Sequence, residues 1–305
     1  MQSLRSKILL SLVHNRHLFG LKLTKPLFDP SPEGIETLRR QANQGSAMFG
    51  KPPKGVEIVP APVKEMYAEY LIPENSSNEK VILYFHGGMY ICGSPQGHRI
   101  HVAKFTTGSG VAAFVFDYRL APEHPFPAAI DDSIKAYSEL LDKGYRPENI
   151  RFAGDSAGGG LCLAALLAIK EKGLPLPLKA VVLSPWTDLA LTGKSYVTNI
   201  ESCLSPHGSA QNCSRFYAGD YDPKNPLISP LYGDLKDLPP ISIYAGENEI
   251  LRDDSIAFAQ RAREAGVQVT LTVEKGMCHC YPAFSPLFPE AKRAMNEICE
   301  FLKQP

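Results

Sequence analysis

Ser156 stands between two glycines in Gly154-Asp155-Ser156-Ala157-Gly158, directly after a strand-like run at 149–153 and ahead of an apolar helix pattern at 161–169. In that context a serine sits on a sharp strand-to-helix turn, because only hydrogen-sized side chains let strand and helix approach closely enough to push the hydroxyl outward. An exposed hydroxyl of this kind can attack an acyl carbonyl if a neighbouring base takes its proton. The plainer alternative is a capping serine at an ordinary helix start, in a chain that holds 24 glycines.

The chemistry needs a base, a carboxylate to orient it and donors for the oxyanion, in the chain order Ser, then Asp or Glu, then His. Of eight histidines only His207 and His279 follow Ser156. His207 lies in a segment without strand pattern, whereas His279 ends Gly276-Met277-Cys278-His279, where a loop after the last strand can return to the serine; His279 is therefore assigned as base. The carboxylate should leave the carboxyl end of the run 241–245, where Glu247, Glu249 and Asp253 stand. Glu249 is assigned, Asp253 reads as the cap of the following helix, and Glu247 stays as the competitor. Gly87 and Gly88, in His86-Gly87-Gly88 after the run 81–85, can turn two N–H groups toward a substrate oxygen, with Ala157 giving a third. His86 itself reads as a loop-holding residue. His98 and His101 show no metal spacing, and Cys278-His279-Cys280 lacks a second ligand cluster, so neither metal nor cofactor is expected.

These residues must be carried by a sheet. Short continuous apolar runs at 81–85, 111–116, 150–153, 180–183, 241–245 and 267–273 indicate strands buried on both faces. Amphipathic segments separate them, such as Ile256, Ala259 and Ala262, or Ala291, Met295, Ile298 and Leu302. That alternation predicts a mainly parallel, twisted α/β sheet flanked by helices. The runs 56–59 and 66–70, placed around Pro60 and Pro62, predict two antiparallel edge strands, and 74–80 a polar turn. Residues 1–50 read as helices outside the sheet, and 51–305 as the catalytic domain. The segment from about 189 to 222 breaks the rhythm and reads as an insertion that joins the N-terminal helices in a cap over the active edge, the alternative being a long surface loop.

Composition narrows the partners. The 305 residues carry 32 basic and 32 acidic side chains, so no global field recruits nucleic acid, and a small neutral substrate is expected. Seven scattered cysteines, an odd number with several inside apolar runs, suit a reduced cytoplasmic protein. The run 8–13 after Arg5 and Lys7 has the outline of a signal peptide, but His14, Asn15, Arg16 and His17 follow without a small-residue cleavage pattern, so a helix packed on the protein is expected. No run reaches the roughly 18 apolar residues that span a bilayer.

Taken together, His86-Gly87-Gly88, residues 117–123 (Asp-Tyr-Arg-Leu-Ala-Pro-Glu) with 125–129 (Pro-Phe-Pro-Ala-Ala), the serine turn, and 225–230 (Asn-Pro-Leu-Ile-Ser-Pro) resemble the hormone-sensitive-lipase-like bacterial carboxylesterases of the α/β-hydrolase fold, from about residue 55 to 304. The resemblance implies a Ser156, Glu249 and His279 triad, an oxyanion hole from Gly87, Gly88 and Ala157, a helical cap, and hydrolysis of short- to medium-chain acyl esters through an acyl-enzyme. Two positions depart from the family: Met89 replaces the usual third glycine of the oxyanion loop, and Glu249 stands where aspartate is commoner. An amidase, formamidase or lactonase with the same triad is the alternative among enzymes. A ligand receptor on the same fold is the alternative outside them, and the complete triad argues against it. The last strand run should lie near a sheet edge, and with the family's habit this predicts a homodimer joined through it and the final helix. Met89, next to the oxyanion glycines with Tyr90 beside it, either shortens the acyl site or only packs under the cap.

Overall fold

In the computed structural model, which describes residues 2–15, 27–48, 54–74 and 76–305, one eight-stranded sheet runs in the order β1-β2-β4-β3-β5-β6-β7-β8. The strands are β1 Val56–Pro60, β2 Ala68–Pro73, β3 Ser77–Phe85, β4 Val111–Phe116, β5 Ile150–Asp155, β6 Lys179–Leu183, β7 Ile241–Gly246 and β8 Val269–Glu274. β1 and β2 are antiparallel to their neighbours and β3 to β8 are parallel. The expected edge position holds for β1, but β2 is covered on both sides by β1 and β4. Residues 77–80, expected as turn, extend β3 across an irregular register between Ser77 and Val81. β8 closes the other edge and begins two residues later than the sequence run suggested.

The central strands are apolar because both faces are covered: every residue of β4 and β6 is buried. Helices Pro95–Ser109 (α3) and Pro289–Lys303 (α9) pack together with α9's Ala291, Met295, Ile298 and Leu302 buried, as their spacing predicted. Ala128–Asp142 (α4), Ala157–Glu171 (α5) and Arg252–Glu264 (α8) lie in the other core layer. In α8 the inward face is Phe258, Ala259 and Ala262, while Ile256 is exposed. Helix α5 is buried from Ala157 to Ile169, so its amphipathic pattern vanishes into a continuous apolar one.

The chain order reverses at β3: β4 lies on one side of it and β5 on the other. At such a switch point the loops after the two strands splay apart, leaving a crevice at their carboxyl ends. The loop after β3 and the turn after β5 both open there.

Outside the sheet, Leu4–His14 (α1) is fastened to the start of α9, where Glu290 accepts from Ser3 N–H at 2.5 Å and from the Ser6 hydroxyl. Pro32–Met48 (α2) packs on α3, and Arg39 reaches the carbonyls of Ile91 (2.7 Å) and Ala121 (3.0 Å) and the Glu123 carboxylate. The segment between β6 and β7 carries Ser195–Thr198 (α6) and Ser209–Ala218 (α7), and sends Leu189, Tyr196, Cys213 and Tyr217 into the core. Ser229 ties its two ends by donating to Pro223 O and accepting from Leu189 N–H. It meets the N-terminal region where Phe28 N–H donates to His207 O at 3.0 Å.

Candidate active site

At the end of β5 the backbone of Ser156 turns to φ 55°, ψ −124°, a strained conformation that throws the side chain off the line of the strand. The strain is held from three sides: Ser156 N–H donates to Leu183 O, and the N–H groups of Gly160 and Trp186 both donate to Ser156 O. Gly158 is the residue that lets α5 lie against β3. A Cβ there would stand 2.2 Å from Phe85 O and 2.3 Å from His86 O.

The carboxylate and the imidazole come from the neighbouring loops. Glu249, fully buried after β7, accepts from the Ser184 hydroxyl (2.8 Å) and Gly246 N–H (2.6 Å) on Oε1, and meets His279 Nδ1 at 2.5 Å with Oε2. Glu247 faces elsewhere: its Oε2 accepts Gly276 N–H at 2.8 Å and so pins the loop that carries His279. Asp253 is not a helix cap. Helix α8 starts one residue earlier at Arg252, and Asp253 accepts from Ser195 N–H, tying the segment between β6 and β7 to the acid-bearing loop. Asn199 adds two bonds of the same kind, to the carbonyls of Glu247 and Glu249.

Burial of His279 works against its charged form, but the Glu249 carboxylate against its Nδ1 outweighs it, so its pKa lies well above the ordinary 6.5. Burial also pushes the Cys280 thiol up, so it stays uncharged and adds nothing that favours the imidazolium. With Nδ1 bonded to Glu249, the basic nitrogen is Nε2.

The oxyanion side requires one correction. Gly87 N–H is already taken, donating to Asp155 Oδ1 at 3.1 Å, and Asp155 also accepts from Tyr84 OH at 2.8 Å with His98 Nε2 at 3.8 Å. Burial alone would raise the Asp155 pKa; His98 and Tyr84 overcome it and hold the carboxyl far below its usual range. It therefore stays an acceptor, and Gly87 serves as a strut between the loop and the serine turn. The N–H groups of Gly88, Met89 and Ala157 have no acceptor among the described residues. Gly88, at φ +128°, is the position where a Cβ would collide with Cys92 O at 1.9 Å, and its carbonyl caps the turn by accepting from Ile91 and Cys92 N–H. Met89 and Tyr90 follow at φ 57° and 63°. His86 holds this loop: its Nδ1 lies 2.9 Å from Gly87 O, its ring stacks on Tyr118 at 4.2 Å, and burial lowers its pKa to about 3, so it is neutral.

Sequence reasoning missed two participants. Ser184 fixes both ends of the acid–base pair, donating to Glu249 and accepting Cys280 N–H at 2.8 Å. Its signal was weak, a lone serine at the carboxyl end of β6. Asp155 had a stronger one, its place inside the serine motif. Among the described residues no group of three or more His, Cys, Asp or Glu is arranged to hold a metal.

A strained serine at the switch point, an imidazole backed by a buried carboxylate and unpaired backbone donors define a hydrolase of the nucleophile-elbow class. The comparisons agree: residues 82–283 match the family model of the alpha/beta hydrolase fold. An acetyl-hydrolase of Streptomyces hygroscopicus is 40% identical over 265 residues, 86% of this chain and 87% of that one. An esterase of Acinetobacter venetianus is 34% identical over 87% of each chain. Among solved structures, an esterase from the bacterial hormone-sensitive lipase family superposes with a TM-score of 0.89 at 35% identity, covering 99% of this chain and 98% of that one. A structure of the esterase EstE5 soaked with p-nitrophenyl butyrate gives 0.90 at 35%, with the same coverage. The chain belongs to the α/β-hydrolase family, in its hormone-sensitive-lipase-like branch, and is a carboxylic ester hydrolase.

Proposed function

We propose that this enzyme hydrolyses short-chain acyl esters through a Ser156–His279–Glu249 triad. The observation that carries the reading is the 2.5 Å contact of His279 Nδ1 with buried Glu249, on loops that follow the elbow in the required chain order. His279 Nε2 takes the Ser156 proton as the oxygen attacks the ester carbonyl. The carbonyl oxygen, now negative, is bound by the N–H groups of Gly88, Met89 and Ala157. Imidazolium returns its proton to the leaving alcohol, and an acyl-serine forms. Water, deprotonated by His279, then releases the acid and restores the serine.

The short-chain preference is supported by the names of the relatives, an acetyl-hydrolase among them. The N-terminal helices and the segment from about 189 to 222 act as the cap over this site, and the bonds from Asn199 and Arg39 support that role. The exposed edge of β8 supports a homodimer, which light scattering at micromolar concentration would show. Seven unpaired cysteines support a cytoplasmic location. A fluorophosphonate probe should label Ser156, and a panel of esters and amides should then show turnover of acetyl and butyryl esters well ahead of the amides. An unlabelled Ser156, or a preference for amides, overturns the reading.

A further inference from the structure

Helix α1 carries aliphatic side chains on two faces, and only one of those faces is covered. Ser6 is buried and Leu9 and Leu10 pack on the core, while Leu4, Ile8 and Leu12 are 73%, 55% and 48% exposed. These three residues, at i, i+4 and i+8, form one outward stripe. At about 100° per residue, exposed Lys7 lies along one border of that stripe and exposed Arg5 along the other. The helix contains no acidic residue. The zero net charge of the chain conceals a local imbalance: residues 1–28 hold Arg5, Lys7, Arg16, Lys22 and Lys25 and neither Asp nor Glu, so the remainder carries 32 − 5 = 27 basic against 32 acidic residues.

We propose that the outer face of α1 docks on an anionic lipid surface. A stripe of large aliphatic side chains bordered by long cationic ones suits the boundary between acyl chains and headgroups: the aliphatic groups enter, and the cations extend back to the phosphates. No described helix is long and apolar enough to cross a membrane, so the contact is in-plane. A second copy of the chain fits this face less well. An 11-residue helix is about 16 Å long and about 10 Å wide, far below the roughly 800 Å² per partner of a stable dimer. A two-fold contact there would also set cationic borders against each other. The helix is fixed with its stripe outward by the bonds of Ser3 and Ser6 to Glu290. Gln2 Nε2 also donates to Gly276 O at 3.0 Å, so docking brings the His279 loop to the lipid side.

The inference stands apart from the catalytic reading, and its test needs no turnover. The full chain is floated with vesicles of phosphatidylcholine alone or with about 30% phosphatidylglycerol. The expected result is flotation with the anionic vesicles only, reversed by 0.5 M salt and unchanged in Ser156→Ala. Arg5→Gln with Lys7→Gln should lower partitioning on the order of tenfold or more, since each cation near an anionic surface adds comparably. The triple variant Leu4→Ser, Ile8→Ser, Leu12→Ser should abolish it while the melting temperature is kept. No flotation, equal flotation with neutral vesicles, or variants that float like the parent each overturn the proposal. So does a triple variant that turns a dimer into a monomer on light scattering, which would assign the face to a second copy.

Discussion

The two halves of the site are built on opposite terms. On the acid–base side, Glu249 and His279 are held by hydrogen bonds: Ser184, Gly246 and the paired imidazole account for the carboxylate, and Glu247 and Asn199 fix the loops around it. On the nucleophile side the backbone does the work. Gly88, Met89, Tyr90 and Ser156 all sit at positive φ, and Gly158 allows a contact that no Cβ could share. A side-chain network tolerates replacement of a supporting member, because neighbours and water can re-form bonds. A strained backbone has no such slack: the geometry is either reached or lost.

Substitutions test that contrast. Ser156→Ala should give the largest effect, cutting kcat by on the order of 10⁴-fold or more while the melting temperature is kept, since the hydroxyl reacts rather than packs. Turnover within tenfold of the parent would remove Ser156 from the mechanism. Glu249→Gln should cost about a thousandfold or more, with Glu247→Gln mild; the reverse order would move the acid to the other residue.

The same pair of variants gives a pH test. His279 retains its proton beside Glu249 to a pH above 6.5, so kcat/KM should rise with pH along an acid limb centred above that value as the imidazolium deprotonates. Glu249→Gln should move the limb down, because the charge that favoured the proton is gone. An unmoved limb would mean that another group sets it.

Gly158→Ala places a methyl 2.2 Å from Phe85 O, and should lower stability by roughly 2–4 kcal/mol in chemical denaturation. Loss below about 1 kcal/mol would show the nucleophile side to be as yielding as the other. The smallest effect is expected at Met89, half-buried against the core beside the oxyanion loop. If its side chain shortens the acyl site, Met89→Gly should move the p-nitrophenyl ester optimum to longer chains by a few carbons, each buried CH₂ being worth about 0.8 kcal/mol. An unmoved optimum assigns Met89 to packing alone.

The parallel core of the sheet, the nucleophile turn and the candidate base could be read from residue order alone. Each is local: a continuous apolar run reports burial on both faces, and glycine–serine spacing reports a sharp turn. What could not be read is pairing across loops distant in sequence. Gly87 looked like a free donor because nothing in His86-Gly87-Gly88 shows that Asp155, 68 residues later, takes its N–H. Asp253 looked like a cap because its spacing to the helix is right, yet its partner is Ser195, 58 residues earlier. Glu249 could be put ahead of Glu247 from the sequence, but not what each one meets: Glu249 faces His279, and Glu247 accepts Gly276 N–H. The net charge of zero likewise hid the basic border of α1, since a sum over the chain carries no position. Sequence by itself determined the kind of chemistry and the strands that bear it, because those follow from side-chain type and periodicity. Only the tertiary structure decided which N–H groups remain open, which hydroxyl fixes the acid–base pair and which side of α1 is left outward, because each depends on which distant groups the folded chain brings within hydrogen-bond or packing distance.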